Sequence, residues 1–314
     1  MFTRKVLVAA LSCLTIGLTS CMNDLANPDE GQAEANDKLI EEYIRSNNLQ
    51  TIVQPQTSGM YVIAYSTNTL GPFGNVTGLA TNARRPAVGD EVSFVYRLYL
   101  LNNPRAVDSA TVQRPVQLPF GVRAMIAGLE EGLSLMTEGQ QMTLLIPYYI
   151  AYGNEPRTDS TGKTVIIPAF SPVRFDVQLL RTRNEETQIR EYIESNKLAV
   201  SKTTPTGVRI ISGSPATPDS IGNGKTVKLK YVGKLLRGNA QFDSGEFQFV
   251  TGSGQVVPGF NDGVVRLRPG EKATLIFPSS QGYGARGSVR PNTNIYAVPP
   301  YAPLRFDVEI LEVK

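Results

Sequence analysis

Two stretches of this chain carry one pattern. Residues 256–284 read VVPGFNDGVVRLRPGEKATLIFPSSQGYG, and residues 125–153 read MIAGLEEGLSLMTEGQQMTLLIPYYIAYG. Each holds an apolar turn of helix, a Gly-punctuated loop, a strand and a Tyr-Gly corner, so the fold must accommodate one building block twice. In the later stretch Val257, Phe260, Val264 and Leu267 recur at helical spacing and give a single apolar stripe. Gly263 and Pro269-Gly270 limit that helix to about two turns. The run Ala273-Thr274-Leu275-Ile276-Phe277 is β-leaning and stops at Pro278, which predicts a strand leading to an exposed corner at Tyr283.

The repeat extends beyond these stretches. Leu39, Ile40, Tyr43 and Ile44 mark one face of a short helix, and the face returns at Ile189, Tyr192 and Ile193, a shift of 149 between Tyr43 and Tyr192. Ser58-Gly59 and Thr206-Gly207 open β-leaning runs at 60–64 and 208–211, expected as edge strands. Val92, Phe94 and Tyr96 face one way, and later Val227, Leu229 and Tyr231 do so with Lys228 and Lys230 opposite, which implies a sheet with one wet face. Each copy closes on a clear strand: Val173, Phe175, Val177 and Leu179, then Leu304, Phe306, Val308 and Ile310. Phe175 to Phe306 and Tyr152 to Tyr283 are both shifts of 131, so the second copy lost residues in its earlier loops. The pattern predicts a duplicated α+β chain of two tandem domains, 36–183 and 184–314, each with alternating strands, a short helix and a lead-in helix.

Arg4 and Lys5, an apolar run over 6–18 and small residues before Cys21 form an export leader over residues 1–20. Its apolar core falls short of the about 20 residues that a membrane-spanning helix needs. Leu18-Thr19-Ser20-Cys21 is similar to the lipobox of bacterial lipoproteins, which implies a lipid anchor on Cys21 and an outer-membrane location, on either side. Residues 21–35 are polar and aperiodic and predict a flexible tether. The formal charge is +3; removing Arg4 and Lys5 with a leader that holds no acidic residue leaves +1, which argues against a nucleic-acid partner.

Histidine and tryptophan are absent, which removes Ser-His and Cys-His catalysis and His-based zinc sites. The Gly-Lys-Thr triplets at Gly162 and Gly224 lack the first glycine of a phosphate loop, with Arg157 and Asp219 in its place, and a strand pattern follows each. Neither nucleotide, cofactor nor metal is expected.

The second copy resembles the FK506-binding-protein family of peptidyl-prolyl isomerases. The resemblance rests on YVGKLL from Tyr231, the FDSG turn at Phe242-Asp243, FQF from Phe247, VVPGF from Val256, the Tyr283-Gly284 corner, VPP from Val298 and LRFDVEI from Leu304. With the lead-in helix and strand, the chain looks like the lipid-anchored two-domain versions of Bacteroidetes-type bacteria. The resemblance implies a curved antiparallel sheet wrapped around one short helix. It also implies a proline pocket of Tyr231, Phe242, Asp243, Phe247, Val256, Val257, Phe260, Tyr283, Val298 and Phe306. Phe260 stands where the family usually has Trp. Tyr283 would donate to a substrate carbonyl, and Asp243 would meet the twisted carbonyl or hold Tyr231. The partners implied are proline-containing exported polypeptides.

The first copy matches at Tyr96, Asp108, Tyr152, Ile167 and Phe175, but Val107, Val116 and Leu129 replace three aromatic walls. The alternative reading is a non-catalytic protein-binding scaffold. Cys21 yields the first test: with two acyl chains holding the protein, Cys21→Ser moves it from the membrane to the soluble fraction on cell fractionation, and unchanged membrane retention would rule the anchor out.

Overall fold

The computed structural model describes residues 28–66, 69–76, 83–212 and 220–314. The leader over 1–20 and Cys21 lie outside the described residues. The first unit runs α1 (Pro28–Ser46), β1 (Gln54–Pro55), β2 (Tyr61–Tyr65), β3 (Glu91–Leu100), β4 (Asp108–Ala110), β5 (Val116–Pro119), α2 (Ala127–Leu135), β6 (Gln141–Ile146) and β7 (Val173–Arg183). The second runs α3 (Glu185–Ser195), β8 (Lys202–Thr203), β9 (Arg209–Ser212), β10 (Thr226–Leu235), β11 (Gln241–Val250), α4 (Pro258–Val264), β12 (Lys272–Phe277) and β13 (Leu304–Val313). The sheets are antiparallel, in the orders β1-β2-β6-β7-β3-β4, with β5 also on β3, and β8-β9-β12-β13-β10-β11.

In each unit the inner face of the sheet packs on the short helix, and the outer face carries the lead-in helix. Beside that helix the outer face of the second unit stays wet as expected, with Lys230 and Lys272 exposed. Leu304, Phe306, Val308 and Ile310 of β13 point inward with Leu275 and Phe277 toward α4, whose Phe260 and Val264 are buried. Ile276, next along β12, points the other way and joins Ile189 of α3. Period-two alternation in the strand thus serves two layers. Outside, Arg305 donates to the Tyr192 hydroxyl at 2.7 Å and to Asp307 at 2.8 Å; Arg174 makes the matching bonds to Tyr43 and Asp176. Asn184 caps α3 by accepting from the Thr187 N–H at 2.8 Å, and Pro258 opens α4.

Two expectations need correction. Residues 28–35, assigned above to the tether, are the first turns of α1, where Ala33, Glu34 and Ala35 favour helix. The helix is held by Ile40 and Ile44, buried against Leu101 and Leu145, and by Asn36, which is buried, donates to the Phe170 carbonyl at 2.8 Å and accepts from the Tyr148 N–H at 3.1 Å. The runs at 60–64 and 208–211 are not outermost. The two-residue strands β1 and β8 pair outside β2 and β9, too short to leave a sequence period.

The two inner cores share no residue. Arg237 reaches across to the first unit, donating to the Gln117 carbonyl at 2.9 Å. A fragment spanning 184–314 is therefore expected to unfold in urea as a single cooperative transition, with circular dichroism and tyrosine fluorescence coincident; separated transitions would show that it depends on the first unit.

Candidate functional site

The short helix α4 lays Phe260 across the sheet, where it meets Phe306 edge to face at 5.0 Å between centroids. Phe306 stacks on Phe277 at 5.7 Å and meets the edge of Phe242 at 5.6 Å. Tyr231 stands edge-on to Phe247 at 5.2 Å. These rings surround a pocket of about 330 Å³ lined by Tyr231, Asp243, Phe247, Gln255, Val256, Val257, Phe260, Tyr283 and Phe306. Eight of the ten residues assigned to the site from sequence thus line one cavity. Phe242 stands behind, against Phe306 and Tyr283, and Val298 is buried in the adjoining core.

Two phenols dominate its polar chemistry. The Tyr231 hydroxyl donates to Asp243 Oδ2 at 2.8 Å. Burial, then that hydrogen bond and the carboxylate charge, push the phenol up to about 12. Asp243 therefore holds Tyr231, one of the two roles expected of it. Burial and the Asp243 charge also raise Tyr283. Its hydroxyl makes no hydrogen bond to any described residue and is available as a donor. The Tyr283 corner, expected to be exposed, is half-buried because Phe242 meets the ring at 6.4 Å.

Two features of the site escaped the sequence reading, one in the lining and one behind it. Gln255 lines the mouth, its side-chain oxygen accepting from the Val250 N–H and the Ser253 hydroxyl, both at 3.0 Å; a polar loop residue gives no signal. Gly233, inside β10, does: glycine in a strand interior marks a close approach. A Cβ there would lie 2.8 Å from Phe242 and 2.9 Å from Phe306. The missing side chain is the room that both rings occupy.

The first unit keeps the polar frame. Tyr96 donates to Asp108 at 2.6 Å, and burial, the Asp108 charge and Arg157 leave Tyr152 at about 12. The walls differ. Leu98, the counterpart of Gly233 by its pairing with Phe175, is buried in the core, and so is Leu129. Val107 and Val116 pack beside them. The strand that is continuous over Gln241–Val250 is split into β4 and β5, and the Arg157 guanidinium lies 5.8 Å from the Tyr152 ring centroid.

A model of the family described as FKBP-type peptidyl-prolyl cis-trans isomerase matches residues 82–180 and again residues 217–311, more than half of the chain. FK506-binding protein 4 of Gibberella zeae is 34% identical over 131 residues, 38% of this chain and 25% of that protein. The peptidyl-prolyl cis-trans isomerase FKBP9 of Homo sapiens is 28% identical over 229 residues, 72% of this chain and 35% of that protein. The chain thus spans about a quarter to a third of the length of these curated relatives. The structure of the three FKBP domains of wheat FKBP73 aligns with 83% of this chain and 98% of its own, at 16% identity and a TM-score of 0.38.

Gly233 gives the site its stability test. Gly233→Ala forces Phe242 and Phe306 apart and is expected to cost about 1–3 kcal/mol, the usual range for overpacking, measured by urea denaturation. A neutral Gly233→Ala would mean that the rings are not tightly seated.

Proposed function

Because the chain belongs to the FKBP-type peptidyl-prolyl cis-trans isomerase family, we propose that its second unit catalyses rotation about X-Pro bonds and that the first does so weakly or not at all. An X-Pro bond isomerises over a barrier of about 20 kcal/mol because amide resonance is lost at the twisted state. Water favours the planar, polar amide over the twisted one. A pocket walled by Tyr231, Phe247, Phe260 and Phe306 withdraws that preference and so favours the transition state relative to the ground state. Neither nucleophile nor proton transfer is required.

The observation that carries the reading is the free Tyr283 hydroxyl at an aromatic cavity of about 330 Å³, a size that admits a prolyl ring with its flanking amides. Substrate proline would sit over Phe260, and Tyr283 would donate to the carbonyl beside it. Asp243, occupied by Tyr231, keeps that second ring upright. In the first unit Leu98, Leu129, Val107 and Val116 occupy the corresponding ground, and aliphatic walls lack the positive ring edges that meet a rotating carbonyl.

The clients in this reading are proline-containing polypeptides folding after export, and the membrane attachment is through acyl chains on Cys21. Support comes from the leader-like residues 1–20 and from the cysteine that follows them.

The test is kcat/KM of the full chain on a panel of X-Pro peptides. Phe242→Ala and Tyr283→Phe are each expected to lower it about 30-fold, the scale of a lost positioning group, while Val107→Ala and Tyr152→Phe leave it within about twofold. If the first-unit variants carry the loss instead, the assignment of the units is reversed. A folded chain inert on every peptide would favour the binding-scaffold reading.

A further inference from the structure

Tyr283 has a structural requirement that its own pocket does not meet. A hydroxyl kept free for substrate does not anchor its ring; among the described residues the ring's aromatic neighbour is Phe242, at 6.4 Å, and the ring rests half-buried against the core. With no bond to its hydroxyl, the direction of the phenol depends also on the backbone that leads to it. That backbone is a single 3₁₀ turn, Ser279–Gln281, in which the Gln281 N–H bonds the Pro278 carbonyl at 2.9 Å and the Gly282 N–H bonds the Ser279 carbonyl at 2.7 Å. Ser279 is 3% exposed.

The turn is held from the opposite side of the sheet. Glu185, at the start of α3, accepts from both the N–H and the hydroxyl of Ser279, the latter at 2.6 Å. The first unit has the same clasp in another chemistry. Asn36 precedes Glu185 by 149, the shift of the lead-in helices, and Tyr148 precedes Ser279 by 131, the shift of the corners. Asn36 accepts from the Tyr148 N–H at 3.1 Å. Two residues in different elements, offset by different insertions, are joined in both copies.

We propose that Glu185 is a positioning residue for Tyr283: its carboxylate clasps Ser279 and so fixes the turn that aims the phenol into the pocket. A carboxylate suits the task because it is acceptor-only, and two oxygens meet two donors from one residue in charge-assisted bonds. A role in merely balancing the helix dipole does not require burial; Glu186, its exposed neighbour in the same turn, already supplies that charge while pairing with Arg209. Burial pushes the Glu185 carboxyl up, and the two Ser279 bonds act against this, so the side chain is spent on the clasp.

The inference rests on the isomerase reading, and the experiment separates the two. In the full chain, Glu185→Ala is expected to lower kcat/KM about tenfold, and Glu185→Gln, which can accept from the N–H and donate to the hydroxyl, to stay within about threefold of the unsubstituted protein. In a Tyr283→Phe background Glu185→Ala is expected to cost less than about twofold more, because the hydroxyl it positions is already gone. Ser279→Ala, which removes one of the two donors, gives a smaller loss through the same route and serves if Glu185→Ala fails to fold. Tyrosine-ring NMR provides a readout without turnover: Glu185→Ala or Ser279→Ala shifts the Tyr283 ring resonances, identified by their loss in Tyr283→Phe, and leaves those of Tyr231 in place. Equal losses in both backgrounds, or an unmoved Tyr283 ring, would overturn the clasp. If the unsubstituted protein is inert on all peptides, the isomerase reading falls and the ring resonances alone decide whether Glu185 positions Tyr283.

Discussion

The packing of Phe260 on Phe306 is the contact on which the second unit depends. A helix of seven residues cannot stand alone in water, since nucleating its first turn costs more than its few hydrogen bonds return. It exists because Phe260 and Val264 are driven into the sheet, and the sheet exposes rings to receive them. Placing the helix there also makes the cavity. The same rings that bury Phe260 leave a gap between the helix N-terminus and the outer strand pair, and the pocket is that gap.

The duplicated frame lines the corresponding ground with two different sets of walls. Both units retain the tyrosine and aspartate pair, Tyr231 with Asp243 and Tyr96 with Asp108, and both retain the tyrosine at the corner. What separates them is volume. Where Gly233 lets two rings meet over the backbone, Leu98 fills the space itself, and valines replace the rings that would have had no room. A close-packed interior does not hold both arrangements at once, so the aliphatic substitutions form one coherent set.

The lead-in helices tie the outer face of each sheet to its pocket side. Arg305 with Tyr192 and Arg174 with Tyr43 dock them on the last strand, and Glu185 and Asn36 reach past the sheet to the corner turns. The helix therefore acts on the site through the turn, without touching the cavity.

By itself, the sequence determined the duplication, the alternating strands and the short helices, and its ordered motifs, through the family they resemble, implied most of the pocket lining. These are periodic or ordered signals: alternation in β13, helical spacing around Phe260, and a constant shift of 131 from the corner to the last strand. Only the tertiary structure decided which groups meet across elements. That Asp243 holds Tyr231, that Gly233 makes room for Phe242, that Gln255 lines the mouth and that residues 28–35 extend α1 follow from contacts between positions whose spacing carries no period. Periodicity reports which face of an element is buried, because burial repeats with the element's own geometry. A hydrogen bond from Ser279 to Glu185 spans 94 residues, and it exists because two chain segments fold back to within 3 Å of each other.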